Sequence, residues 1–290
     1  MKNKLANINH EHIYNFVASH TIDEIIYIEH QDAQFLSINN LVQKILGIWS
    51  TSNWSKDIYN ANDNKSENSS NIKKIILIDL IIKISLISYQ IWWTGEQRWI
   101  EVCDYIYHEW SDLLSQPNLA NSTERRKKLL QTCKYNRRLI NMKISRLSKI
   151  GNLRDIFPDL ASYEEWYNDM NIFHQKICNK LWADIYAKTP LFATKMFGYI
   201  GRIIFEISSD TYIHPKTKQN QIYPSNLSIP LDSRLKQIYI SIHWPLDSKN
   251  PKYQNEHIIW YFDKLWNDHG ISPLHLDSLL WLKYRDEINI

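Results

Sequence analysis

The chain has 290 residues, 44% of them hydrophobic and 13% aromatic, which excludes an intrinsically disordered protein and allows a substantial core. Its 34 Lys/Arg against 31 Asp/Glu leave a net charge of +3, which by itself points to no partner. Six glycines and nine prolines argue for helices joined by few turns, while three widely separated cysteines exclude a C-x-x-C metal knuckle or compact iron–sulfur quartet and fit reduced thiols in a cytosolic protein.

The opening MKNKLANINHEH lacks the continuous apolar core of a secretory signal. Periodicity then predicts helices over IDEIIYIEHQ (22–31) and FLSINNLVQKILG (35–47), joined near Asp32 to Gln34 and stopped by Gly47. Thr51 to Ser70 is rich in Asn, Ser, Asp and Lys, the composition of a mobile surface insertion. A helix follows over 73–90; its apolar run, 75–87, is interrupted by Asp79 and Lys83 and is too short to span a bilayer. Another begins after Gly95 and carries Trp99.

From Arg125 to Arg154 there are eleven Lys/Arg and no acid, broken by apolar residues at near-helical spacing. Such a segment can turn a cationic face to a polyanion and an apolar face inward, or be a solvated basic surface. Residues 157–187 continue at helical spacing to about Tyr186, and Thr189-Pro190 signals a new helix, PLFATKMFGYIGRIIFEIS, with Gly198 and Gly201 open to a close neighbour. A loop spans 208–228. The stretch IPLDSRLKQIYISIHW alternates partly like a strand, but Asp232 before an amphipathic run favours a helix. Gly270 closes one helix, and Ser272-Pro273 opens the last.

In that last helix Asp277 and Trp281 stand one turn apart on one face. A carboxylate beside a flat aromatic wall suits a hydrogen-bonding ring such as a nucleobase, although alone it also fits an amphipathic helix with a solvated acid. Lys188 precedes a helix start, where the dipole and a dry cleft would favour a neutral, nucleophilic amine; on its own it reads as a solvated surface charge, as most lysines are. Asp232 is a helix cap that could also stabilise a cationic sugar. Phe192 and Lys195 share the face of Lys188 if the helix reaches back that far, and otherwise read as core packing and a solvated charge.

Together KTPLFATK (188–195), IPLDSRL (229–235), GISPLHLDSLLWL (270–282), SLISYQIWWTGEQRW (85–99) and DEIIYIEHQDAQF (23–35) resemble, in order, the archaeal GO glycosylases (AGOG) of the helix-hairpin-helix superfamily. The resemblance implies an all-α fold of two helical lobes with a DNA-binding cleft, residues 1–290 forming one catalytic unit and about 165–244 the helix-hairpin-helix region. It implies excision of 8-oxoguanine with strand cleavage through a Schiff base on Lys188, with Asp232 as catalytic acid. Phe192 and Trp281 match the stacking pair; Gln34, Ser88, Trp99, Pro230 and Asp277 match pocket positions, and Lys195 a lysine near the site. No metal or organic cofactor is implied. The implied partner is double-stranded DNA containing oxidised guanine, with single-stranded DNA a further candidate, engaged by a monomer with no membrane association.

The chain departs from the family in lacking any glycine between Gly151 and Gly198, so its hairpin must be a divergent one. Three rivals stand beside this expectation: a superfamily glycosylase for another base, a non-catalytic DNA-binding protein using 125–154, and a helical protein-interaction module.

Overall fold

The computed structural model describes residues 9–31, 39–40, 69–88, 131, 139–151, 153–207, 212–213, 218, 220–221, 223, 229, 231, 233–242 and 251–284. In chain order these residues form α1 (His10–Ala18), α2 (Ile22–Gln31), α3 (Ser69–Ser88), α4 (Ile140–Ile150), a 3-10 turn (Leu153–Asp155), α5 (Leu160–Asn168), α6 (Met170–Leu181), α7 (Lys188–Ile204), β1 (Tyr212–Ile213), β2 (Asn220–Gln221), α8 (Ser233–Ile242), α9 (Pro251–His269) and α10 (Pro273–Tyr284). The helical expectation holds, including α8, whose strand-like alternation is overridden. Of the helix predicted over 35–47 only Asn39 and Asn40 are described, and both are helical; the helix predicted after Gly95 and residues 51–68 of the expected insertion lie outside the described residues, while Ser69 and Ser70 belong to α3.

Three expectations are corrected. The single helical stretch over 157–187 is two helices, because Asp169 leaves helical geometry (φ −124°, ψ 80°) and its carboxylate accepts from Asn171 N, capping α6. The loop over 208–228 contains an antiparallel two-residue pair, Tyr212 opposite Gln221 and Ile213 opposite Asn220. Third, the helix that follows Tyr186 begins at Lys188 itself, with Ala187 as its N-cap and no side-chain cap bond. Pro190 fits the third position because first-turn N–H groups have no acceptor inside the helix.

Two apolar clusters form the interior. The first joins α3 to α5, α6 and α7, with Phe173 stacked on Phe197 (3.9 Å between centroids) and Phe157 on Tyr163 (4.4 Å). Asp79, inside the apolar α3, accepts a hydrogen bond from the Tyr163 hydroxyl, which offsets the cost of an acid there. The second gathers α1, α2, α8, α9 and α10. Helix α10 serves both: Leu274 packs in the first cluster, Leu276, Leu279 and Leu280 in the second.

Within the basic segment, Lys143 and Arg146 of α4 turn inward instead of joining the cationic face the sequence allows. Lys143 is 0% exposed, and Arg146 donates to the carbonyl of Leu86 near the end of α3 (3.3 Å). Lys149 donates to the Leu181 carbonyl at the end of α6 (3.4 Å) and lies 4.7 Å from the Trp182 ring centroid. Cations at helix C-termini are favoured by the dipole, so part of this positive charge is spent holding helices together.

Candidate active site

The turn between α6 and α7 delivers Lys188. Where a glycine would ordinarily end α6, Trp182 adopts the left-handed conformation (φ 52°, ψ 48°), with its indole 84% exposed. The turn is then tied back to α6: His174 Nε2 donates to the Ile185 carbonyl at 2.7 Å, and its Nδ1 lies 3.1 Å from the Thr194 hydroxyl on α7. Burial holds the His174 ring below its ordinary value. The buried Cys178 thiol is pushed up to about 11 by burial and by Asp184, so it is an inert packing group.

Lys188 opens α7, Phe192 and Lys195 follow at i+4 and i+7, and Tyr199 and Arg202 continue the stripe at i+11 and i+14. This stripe meets α10 closely because of Gly198: a Cβ there would stand 2.5 Å from Leu274 Cδ1. At the contact Lys195 Nζ and an oxygen of Asp277 form a hydrogen-bonded ion pair, with side chains 8% and 4% exposed. One turn along, the Tyr199 hydroxyl and Ser278 Oγ meet at 2.5 Å. Asp277 is therefore no solvated acid on an amphipathic face. Residues 271–280 are all buried, and Trp281, on the same face as Asp277, is partly exposed.

Further along the stripe lies a buried ionic cluster that sequence reasoning missed. Glu29 of α2 accepts from Arg202 Nη1 (2.9 Å) and from His275 Nδ1 (2.9 Å), while Arg202 also contacts the Tyr223 hydroxyl (3.2 Å) and His30 Nε2 (2.7 Å). Burial pushes the Glu29 carboxyl up, but His275, Arg202 and the hydrogen bonds outweigh it and hold it below the ordinary carboxylate value. Burial and Arg202 together depress His30, so its Nε2 offers a lone pair to the guanidinium. The signal in the sequence was a charge inside each apolar run: Glu29 four residues after Ile25, Arg202 within GYIGRIIF, His275 between two leucines.

Lys236 on α8 was also missed. Its amine meets Asn255 Oδ1 at 2.5 Å and is depressed by burial and by repulsion from the charge of Lys188, which places it near the start of α7. Of the residues singled out from the sequence, the structure brings Lys188, Phe192 and Lys195 onto one helix face and joins Lys195 to Asp277, with Trp281 one turn beyond. Gln34, Trp99, Pro230 and Asp232 lie outside the described residues, and of Ser88 only its position at the end of α3 is described. Among the described residues there is no group of three or more His, Cys, Asp or Glu that could hold a metal ion, and no helix long and apolar enough to cross a membrane.

Residues 15–287 match the profile of a family described as AGOG, N-glycosylase/DNA lyase. The N-glycosylase/DNA lyase of Methanococcus maripaludis is 31% identical over 206 residues, spanning 71% of this chain and 70% of that protein. That of Methanopyrus kandleri is 30% identical over 208 residues, spanning 71% and 72%. Among solved structures, the 8-oxoguanine DNA glycosylase from Pyrobaculum aerophilum complexed with 8-oxoguanosine has a TM-score of 0.59 and covers 98% of this chain and 89% of its own at 19% identity, a likeness of fold.

Proposed function

The chain belongs to the AGOG family of N-glycosylase/DNA lyases, a DNA-repair glycosylase with lyase activity, and on that footing we propose that it excises 8-oxoguanine from DNA with Lys188 as nucleophile. The observation that carries this reading is the buried Lys195–Asp277 pair on the same stripe as Lys188 and Phe192. Oxidation gives guanine a hydrogen at N7, turning an acceptor into a donor. A fixed carboxylate such as Asp277 accepts from that donor but meets a lone pair on ordinary guanine. Phe192 and Trp281 stack on the two faces of the extruded base, and Gln34, Ser88, Trp99 and Pro230 complete the pocket wall.

In the reaction the Lys188 amine attacks C1′, the glycosidic bond breaks, and its electron pair leaves with the base. Asp232 stabilises the positive charge that develops on the sugar. After the amine loses a proton and the ring opens, the resulting imine acidifies C2′; loss of that proton expels the 3′ phosphate by β-elimination, and water releases the enzyme. All of this uses side chains alone.

DNA lies across two helical lobes, a reading supported by the two apolar clusters joined through α10. A cavity of about 460 Å³ lined by Lys149, Lys176, Lys180, Asn179, Ile156 and Trp182 has three cations and, among the described residues, no carboxylate, and it holds backbone phosphates beside the hairpin. The protein acts as a monomer on duplex DNA, and on single strands because recognition is of one extruded nucleotide.

The test is base release from a panel of duplexes, each with one lesion. The expected result is release of 8-oxoguanine in preference to guanine, uracil and alkylated purines; preferential release of another base contradicts the substrate assignment. With Asp232→Asn, binding is retained and most turnover is lost.

A further inference from the structure

The cluster of Glu29, Arg202 and His275 has no part in the chemistry at C1′, yet it sits at the joint of the three helices that carry the pocket. Their exposures are 1%, 6% and 0%. The guanidinium stands 14 positions beyond Lys188 on α7, about 21 Å along a helix that rises 1.5 Å per residue. It therefore lies remote from the reacting carbon.

Helix α10 explains why such a cluster is needed. Its residues from Pro273 to Leu280 are all buried, with Leu274 in one apolar cluster and Leu276, Leu279 and Leu280 in the other. A helix with leucines on two sides gains similar burial at more than one rotation, so hydrophobic packing alone does not fix which residue faces α7. Polar contacts do. His275 to Glu29, Ser278 to Tyr199 and Asp277 to Lys195 are satisfied together at one rotation and one slide only. The three contacts are continuous, since Ser278 also bonds Glu29 and the Lys195 amine lies 5.4 Å from the Tyr199 ring centroid.

Stability alone does not account for the cluster. Buried ion pairs contribute little net stability compared with apolar residues of like size, and His275 Nε2 has no hydrogen-bond partner among the described residues. Fixing a register is the best-attested use of buried polar groups.

We propose that Glu29, Arg202 and His275 are positioning residues of the base pocket: they lock α2 and α10 against α7 so that Asp277 meets Lys195 and Trp281 takes its place at the pocket. The same lock fixes the end of α2 at Gln31, three residues before Gln34. The inference rests on the function proposed above, and it divides the two activities. Base release needs the pocket. Cleavage at an abasic site that is already present needs only Lys188 and the sugar.

The experiment compares single-turnover release of 8-oxoguanine with cleavage of a preformed abasic site in the same duplex, using Arg202→Met, Arg202→Lys and the double variant Glu29→Gln/Arg202→Met. The double variant removes both charges, so no uncompensated ion is left buried if the single change prevents folding. The expected result is base release slowed at least about tenfold and abasic cleavage within about twofold of wild type, with partial recovery in Arg202→Lys. Parallel loss of both activities, no loss of either, or loss of the helical circular-dichroism signal in the double variant as well overturns the proposal. A wild-type protein inactive on both substrates, by contrast, strikes at the functional reading itself. One that releases another base leaves the positioning role testable on that base.

Discussion

Lys195 and Asp277, 82 residues apart in sequence, form a buried ion pair that joins α7 to α10. Removing one partner of such a pair leaves the other charged and unsatisfied, whereas an isosteric neutral partner keeps part of the hydrogen bonding. Asp277→Asn is expected to slow 8-oxoguanine release by about 10- to 100-fold, the equivalent of the roughly 1.5–3 kcal/mol of a charge-assisted hydrogen bond. Abasic-site cleavage is expected to change little. Single-turnover assays on the two substrates measure this, and equal loss on both would assign Asp277 a role in the chemistry instead.

The two glycines of α7 are close-approach positions of unequal strictness. A Cβ at Gly201 would lie 2.2 Å from the Tyr167 ring, which is rigid and 1% exposed; at Gly198 it would meet the ends of Leu274 and Met170, which can turn aside. Gly201→Ala is expected to cost about 1–3 kcal/mol by overpacking, despite the roughly 1 kcal/mol that alanine gains in a helix. Gly198→Ala is expected to stay within about 1 kcal/mol of wild type. Urea midpoints compare them, and equal effects would contradict the packing argument.

Much of the fold was legible because helix ends are written in local chemistry. Gly270 (φ 71°) closes α9 with a 2.8 Å bond to the Trp266 carbonyl, and Ser272 Oγ accepts from His275 N, as the Gly-x-Ser-Pro spacing predicts. The break at Asp169 was hidden because apolar spacing continues through it. The turn at Trp182 was hidden because an exposed tryptophan does what glycine ordinarily does. At the site, residues with an i+4 or i+7 relation to Lys188 could be read from α7 alone. The Lys195–Asp277 pairing and the Glu29–Arg202–His275 cluster could not, since each joins helices distant in sequence, and periodicity gives a residue's face but not its partner.

Stability should fall with acid in two windows. His30 and His174 are held below their ordinary value in the fold, so from about pH 6.5 downward the unfolded chain binds protons that the native rings resist. Glu29 is likewise depressed, so a further loss begins near pH 4.5 and continues as pH falls through its native value. Urea midpoints from pH 4 to 8 are expected to decline toward acid, with Glu29→Gln flattening the lower limb. A midpoint that rises toward acid would contradict this sign.

The cavity beside Trp182 carries Lys149, Lys176 and Lys180. If it holds phosphates, Lys176→Glu/Lys180→Glu weakens binding of lesion and undamaged duplexes alike. It also lowers the slope of log affinity against log salt by about 0.9 for each phosphate that the variant no longer neutralises. Fluorescence anisotropy across a salt series reads both effects. An unchanged slope would remove this cavity from the DNA path.

The claim on which the account turns is a covalent bond between Lys188 and the deoxyribose, and borohydride reduction during reaction with an 8-oxoguanine duplex tests it directly. The account predicts a stable protein–DNA adduct with wild type, mapped by mass spectrometry to Lys188, and none with Lys188→Ala. An absent wild-type adduct, or an undiminished one in Lys188→Ala, would contradict it.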